Sequence, residues 1–321
     1  MSVTPLVSII LPCYNVEKYI EKAVNSILQQ SLENYEVIFV DDGSTDNTVK
    51  KIENLNLEEK FKVFSKVNEG SGFARNFGLE KSKGKFIYFM DPDDEINPDL
   101  LRKSVDKIES EKSDLLMFGY QRINEINGKK RNFQPDKEYI FSTPENVKEN
   151  FPLIFGQSSA YAVWNKLYRK SFLEESNLKF SNLPIGQDAE FNIRVFGTVK
   201  SLKIIPDVLY YYLYNRKGSA RTNHNKKKYN SEIQILERLT ELFIFWDLKD
   251  DYKYILDNHI INLVYEEIHN MKKAKINIKF DYIDESLLKR IKSMKIRSKS
   301  GINMKVKLII IKLILIKDTM L

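Results

Sequence analysis

Apolar residues open the chain in short unbroken blocks, with helically spaced ones between them. Residues 7–11 (VSIIL) form a β-branched run closed by Pro12. Residues 16–30 then carry Val16, Ile20, Ala23, Val24, Ile27 and Leu28, the period of an amphipathic helix. Residues 35–40 (YEVIFV) read as a second buried strand. It ends in DDGSTDNT, rich in turn formers and helix caps, before a helix from Thr48. A weaker strand follows at 61–67, a helix at 72–81 and a fourth strand at 85–90 (KFIYFM), which stops at DPDD. Strands that are apolar throughout, alternating with helices, predict an α/β fold with a Rossmann-type, mainly parallel sheet flanked by helices. Each polar cluster falls at the carboxyl end of a strand, where such sheets place ligands.

Residues 101–225 mix strand and helix signals with polar punctuation and contain no linker rich in Pro, Gly or Ser, so residues 1–225 read as one domain. From Lys226 the pattern turns helical, giving a second region, 226–321. No internal repeat is evident.

With 42% hydrophobic residues among 321, the chain can bury a real core, which excludes wholesale disorder. One cysteine, Cys13, excludes an internal disulfide, and three scattered histidines exclude a His-rich zinc centre. A metal here would be held by oxygen, pointing to Mn2+ or Mg2+. The opening MSVTPLVSIILPCYN lacks a basic leader and reads as a strand, and no window reaches the roughly 18 apolar residues of a membrane span. The expected location is the cytoplasm.

The strongest chemical candidate is Asp91-Pro92-Asp93-Asp94. Three carboxylates in four residues repel unless a cation or strong donors neutralise them. A nucleoside diphosphate with a hard divalent metal does so, since the metal bridges carboxylates and phosphates and stabilises the leaving diphosphate. The competing reading is a solvated Asp/Pro turn before a helix near Pro98. In the second cluster, Asp41-Asp42-Gly43-Ser44-Thr45-Asp46, a strand-end carboxylate can accept from a base N–H, while Ser44 and Asp46 also suit a cap and turn. The third, residues 68–78 (NEGSGFARNFG), lacks the spacing of a dinucleotide loop, because Arg75 stands where a third glycine would be. Arg75 near a helix start suits a phosphate or carboxylate, or simply caps a surface helix.

In this order, VSIILPCYN, VDDGSTDNT, NEGSGFARNFGL and FMDPDD resemble family 2 glycosyltransferases, and so do VWNKLYRKSFL (163–173), IGQDAEFNIRVF (185–196) and YYYLYNRKGSART (210–222). The resemblance covers about residues 5–225. It implies a GT-A fold and inverting transfer from a UDP-sugar or other nucleotide sugar to a saccharide or lipid-linked acceptor, as in making capsule, exopolysaccharide or glycolipid. By the same resemblance, Pro12, Tyr14 and Asp41 contact the nucleoside, and Asn68 and Arg75 the nucleotide or its diphosphate. Asp91 and Asp93 form the metal and ribose motif, with Asp94 on the sugar side. Asp188 matches the catalytic base, with Glu190 the second choice, although Gln187 replaces the family's usual Glu before it. Arg216 to Ser219 match a basic loop over the diphosphate, and His224 is a further candidate ligand. Trp164, Asn165 and Lys166 either shape the acceptor site or belong to the core.

The net charge is +7, but residues 287–321 hold ten Lys/Arg against one acid, Asp318, so the rest of the chain sums to −2. Residues 305–317 (KVKLIIIKLILIK) are apolar and lysine-spiked, too short to span, so residues 289–317 suit an anionic membrane surface or else pack on protein. Two other classes compete. A sugar-nucleotide nucleotidyltransferase should show a glycine-rich phosphate loop where Pro12-Cys13-Tyr14-Asn15 stands. A non-enzymatic membrane or nucleic-acid binding module leaves the acidic clusters unexplained, and no nucleic-acid partner is expected.

Overall fold

The computed structural model describes residues 4–156, 159–215, 226–248, 253–273, 285–294 and 302–318. The chain divides into two compact units, Met1–Leu183 with Gln187–Ser219, and Pro184–Gly186 with Ala220–Leu321.

The first unit is built on a ten-stranded sheet. Its strands are β1 (Val7–Cys13), β2 (Tyr35–Asp41), β3 (Phe61–Ser65), β4 (Phe86–Phe89), β5 (Glu95–Ile96), β6 (Leu115–Asn124), β7 (Lys130–Phe133), β8 (Tyr139–Phe141), β9 (Lys166–Arg169) and β10 (Leu202–Tyr214). The strand order is β3-β2-β1-β4-β9-β6-β10-β5, with β7 on β6 and β8 on β10. The segment β3-β2-β1-β4 is parallel, as the unbroken apolar runs predict. Every residue of β1, β2 and β4 is buried, the signature of strands covered on both faces. Helix Ser71–Lys81 packs on β1 so closely that a Cβ at Gly78 would collide with Ile10.

Beyond β4 the sheet becomes mixed. The four-residue β9 lies antiparallel between β4 and β6, whereas β10 runs parallel to β6 and antiparallel to β5 and β8. So short a strand leaves little periodic signal. Within β2, Glu36 is buried in an otherwise apolar block. Ser8 Oγ donates to it at 2.7 Å, Lys62 Nζ at 2.9 Å and the Lys83 amide at 2.6 Å. Burial works to raise its carboxyl, but these bonds outweigh burial and hold it below the ordinary range.

The second unit is helical as expected, with helices Lys226–Phe245, Lys253–Lys273, Glu285–Ser293 and Ile302–Asp318 packed around Leu239, Ile260, Val264, Ile291 and Ile311. Among the described residues, no helix is long and apolar enough to cross a membrane.

Candidate active site

Parallel pairing brings the carboxyl ends of β1, β2 and β3 level. Cys13 lies opposite Asp41, and Asp41 opposite Ser65. On the other side of β1, β4 stops at Phe89 and the Met90 amide donates to Ile10 O at 3.0 Å, so Asp91-Pro92-Asp93-Asp94 begins on the same edge. The two acidic clusters, far apart in sequence, therefore meet. Cys13 is buried beside Asp41 and Asp93, and burial, then those two charges, push its thiol far above the usual range. This is the inert, protonated cysteine to which the sequence assigns no chemistry.

The loop after β1 is fastened to the loop after β2. Asn15 Oδ1 accepts from the Thr45 amide at 2.8 Å, the Asn15 amide donates to Ser44 Oγ at 3.0 Å, and the Val16 amide donates to Thr48 Oγ1 at 2.8 Å. This mesh fixes Pro12, which is buried, and Tyr14, which is 50% exposed, beside Asp41. Asp41 accepts from the Ser44 amide at 3.2 Å. Its neighbour Asp42 works for the fold: it accepts from the amides of Gly70 at 2.7 Å and Glu69 at 3.0 Å and from Lys66 Nζ at 3.1 Å. Those bonds position the loop that carries exposed Asn68. Gly43 closes against it with φ +74°, where a Cβ would come within 3.1 Å of the Asn68 nitrogen.

Oxygens of Asp91, Asp93 and Asp94 lie within 4.8 Å of one another. Arg75 is 6% exposed, and its Nη2 donates to Asp91 Oδ1 at 2.8 Å while its guanidinium lies over the Phe180 ring. Asp94 is 1% exposed and tied to β10: it accepts from Tyr210 Oη at 2.6 Å and from the Leu213 amide at 2.7 Å. Burial, then the charges of Asp93 and Asp91, push the Asp94 carboxyl well above its ordinary value, against the pull of those two bonds. Asp94 thus sits beneath the cluster, whereas Asp91 and Asp93 are its half-buried members. Donors that are all oxygen and crowded within reach of one point fit a hard divalent cation.

Asp188 lies in the first turn of helix Gln187–Thr198, where the helix dipole favours negative charge, and it accepts from the Ala189 amide at 3.0 Å. Gln187, in place of the expected Glu, donates through Nε2 to Ser71 Oγ at 3.3 Å, joining this helix to the one that carries Arg75. Buried Tyr168 lies in the fields of both Asp188 and Arg75. Glu190, the second choice as base, is held at both oxygens by Arg194, at 2.7 and 2.8 Å. Arg216, Ser219 and His224 lie outside the described residues.

Trp164, Asn165 and Lys166 are all buried. The Trp164 indole belongs to the core and stacks on Tyr210 and Tyr212, with centroids at 4.5 and 5.3 Å. Lys166 Nζ donates to Asn165 Oδ1 at 3.0 Å and to the carbonyl of Ala162. Burial drives its ammonium well below the usual range, and Asp188 pulls it back. The residue that sequence reasoning missed is Tyr210. The run YYYLY is visible, but nothing local says that its first hydroxyl would reach Asp94 across 116 positions.

Comparison with known proteins agrees with this geometry. Residues 8–176, just over half of the chain, match the family described as Glycosyl transferase family 2. EpsH of Bacillus subtilis is 30% identical over 264 residues, 80% of this chain and 75% of EpsH. The poly(ribitol-phosphate) β-N-acetylglucosaminyltransferase TarS of Staphylococcus aureus is 30% identical over 216 residues, 66% of this chain but only 36% of TarS. In structure, TarS 1–349 in complex with UDP-GlcNAc superposes with a TM-score of 0.66 at 22% identity, covering 86% of this chain and 77% of that one. The likeness supports the GT-A arrangement, with helices following it. Motif order, strand-end geometry and family match converge, and the chain belongs to the family 2 glycosyltransferases.

Proposed function

We propose that this glycosyltransferase moves a sugar from a UDP-sugar to a saccharide or lipid-linked acceptor with inversion and with a divalent metal, in cell-surface polysaccharide or glycolipid synthesis. The observation that carries the reading is the Asp91–Asp93–Asp94 cluster on the same sheet edge as Asp41. TarS, which is named for transferring N-acetylglucosamine and was solved with UDP-GlcNAc, supports a uridine donor.

In this reading Pro12 and Tyr14 flank the nucleoside and Asp41 accepts from the base. Asn68 lies on the nucleotide side, and Arg75 acts through Asp91, orienting the carboxylate that meets the ribose. Asp93 is the principal metal ligand, and Mn2+ or Mg2+ there would supply charge neutralisation for the diphosphate. Asp94, locked to Tyr210 and Leu213, sets the direction of the turn and meets the donor sugar only through it. Asp188 takes the proton from the acceptor hydroxyl as that oxygen bonds to the anomeric carbon, and the electron pair of the breaking C–O bond leaves with the diphosphate. Arg216 and Ser219 are assigned to the diphosphate loop on the sequence resemblance alone. Residues 289–317, rich in Lys and Arg, fit an anionic membrane surface at which a lipid-linked acceptor is met.

Thermal unfolding of the full chain with nucleoside diphosphates, in Mn2+ or in EDTA, tests the donor site. A ligand at a hundred times its Kd stabilises the folded state by about 2.7 kcal/mol. UDP should raise the melting temperature in Mn2+ and lose that effect in EDTA or in Asp93→Ala. No shift with any nucleotide overturns the donor site, and a shift indifferent to EDTA and to Asp93→Ala overturns the metal.

A further inference from the structure

Helix Ile302–Asp318 is apolar on two sides. Leu308, Ile311 and Leu315 are buried within the helical unit. Lys307, on their side of the helix, donates to Asn262 Oδ1 at 2.7 Å and lies over the Tyr265 ring. Lys312 donates to the carbonyls of Lys292 and Met294 at 3.2 and 2.6 Å, closing the end of helix Glu285–Ser293. The opposite stripe is Ile302, Val306, Ile309 and Leu313, which are 79, 48, 44 and 61% exposed. Steps of four, three and four keep these side chains on one face. A surface helix of a globular unit normally presents polar residues there, and these four lie outside the buried core.

Charge identifies the partner. No acid occurs between Glu285 and Asp318, while ten Lys/Arg fall between 289 and 317. A nucleic acid would meet the cations but leave the stripe idle, since it has no aromatic residue to stack on bases. An anionic lipid surface takes both, headgroup phosphates meeting the cations of this run other than Arg290, Lys307 and Lys312, which are bonded within the unit, and the acyl boundary the four apolar side chains. With 17 residues, the helix suits lying in the surface plane.

We propose that helix Ile302–Asp318 lies in the plane of an anionic membrane with Ile302, Val306, Ile309 and Leu313 buried at the headgroup–acyl boundary. This rests on the membrane reading above for the charge, and adds the face that inserts. The test is cosedimentation of the full chain with phosphatidylcholine vesicles, with and without phosphatidylglycerol. Wild type should bind only the anionic vesicles. The triple variant V306S/I309S/L313S should bind at least about tenfold more weakly, with an unchanged melting temperature, because the replaced side chains face outward. A triple variant that binds as wild type does overturns the inserted face and leaves attachment by charge alone. Wild type that stays in the supernatant overturns membrane attachment altogether. Wild type that is a dimer in solution, dissociated by the three serines, assigns the stripe to a second copy and likewise overturns the proposal. Sedimentation reads no turnover, so failure here leaves the donor site standing.

Discussion

Asp42→Ala separates an acid that serves the fold from one that serves the ligand. The carboxylate is 2% exposed and receives two backbone amides and the Lys66 ammonium at 2.7 to 3.1 Å. A hydrogen bond to a charged group contributes about 1.5–3 kcal/mol. Lys66 can turn to water when released, so its share is small and the two amides set the scale. Taking the lower figure for each gives a loss of about 3 kcal/mol. In a unit of this size each kcal/mol moves the melting temperature by about 2–4 °C, so the midpoint should fall by about 6–12 °C. Asp42→Asn keeps one oxygen in place and should lose roughly half as much. The loss should reach the ligand through Asn68, because the loop must be reordered on binding. UDP affinity, read by calorimetry, should fall by roughly tenfold, which is about 1.4 kcal/mol. An alanine variant that melts within about a degree of wild type would refute the argument that Asp42 anchors the loop.

Replacing the proposed base, Asp188→Asn, should leave UDP binding intact and lower turnover by about 10²–10⁴-fold; turnover within a factor of a few of wild type means another group takes the proton. Acid stability should report Glu36, whose carboxyl is held below its ordinary value of 4.5 by Lys62, Ser8 and the Lys83 amide against the effect of burial. A lowered native value means that stabilisation is complete above about pH 4.5 and is lost as pH falls through the native value. Glu36→Gln should therefore be less stable at neutral pH and flatten the loss of unfolding free energy on acidification. Denaturant titrations from pH 6 to pH 3 that run parallel for the two proteins would show that the hydrogen-bonded charge contributes nothing.

The parallel half of the sheet was legible because burial on both faces demands unbroken apolar strands, and each ends where the polar motif begins. Boundaries that long-range bonds decide were not legible. The periodicity that starts at Val16 becomes regular helix only at Ile20, and the Val16 and Glu17 amides that precede it are capped by Thr48 and Asp46 of the next loop. Strand β9 was hidden by its length. Glu36 lies unmarked in an apolar run and Lys166 is left open between acceptor site and core, since nothing adjacent to either reveals its buried partners. The tail illustrates the same limit. Lys307 lies on the far side of the helix from the exposed stripe, and only Asn262 and Tyr265 show that this side faces inward.

Within each acidic motif the carboxylates differ in what they bond. In the first, Asp42 spends its oxygens on the Glu69–Gly70 amides, while Asp41 at the strand end makes a single bond to the Ser44 amide. In the second, Asp94 spends both oxygens on β10, while Asp91 and Asp93 stay half-buried. Helix Gln187–Thr198 repeats the arrangement, with Glu190 clamped by Arg194 two residues after Asp188. A like charge beside a ligand-binding carboxylate opposes its ionisation, so a second acid at each turn is costly unless protein donors compensate it. Asp42 and Asp94 take donors from other segments, whereas Glu190 is paired with Arg194 inside its own helix. On the proposed roles, each motif combines carboxylates assigned to chemistry with a neighbour whose oxygens are taken by protein donors. Substitution of Asp42 or Asp94 should accordingly appear first as lost stability, and substitution of Asp93 or Asp188 first as lost function in a protein that still folds.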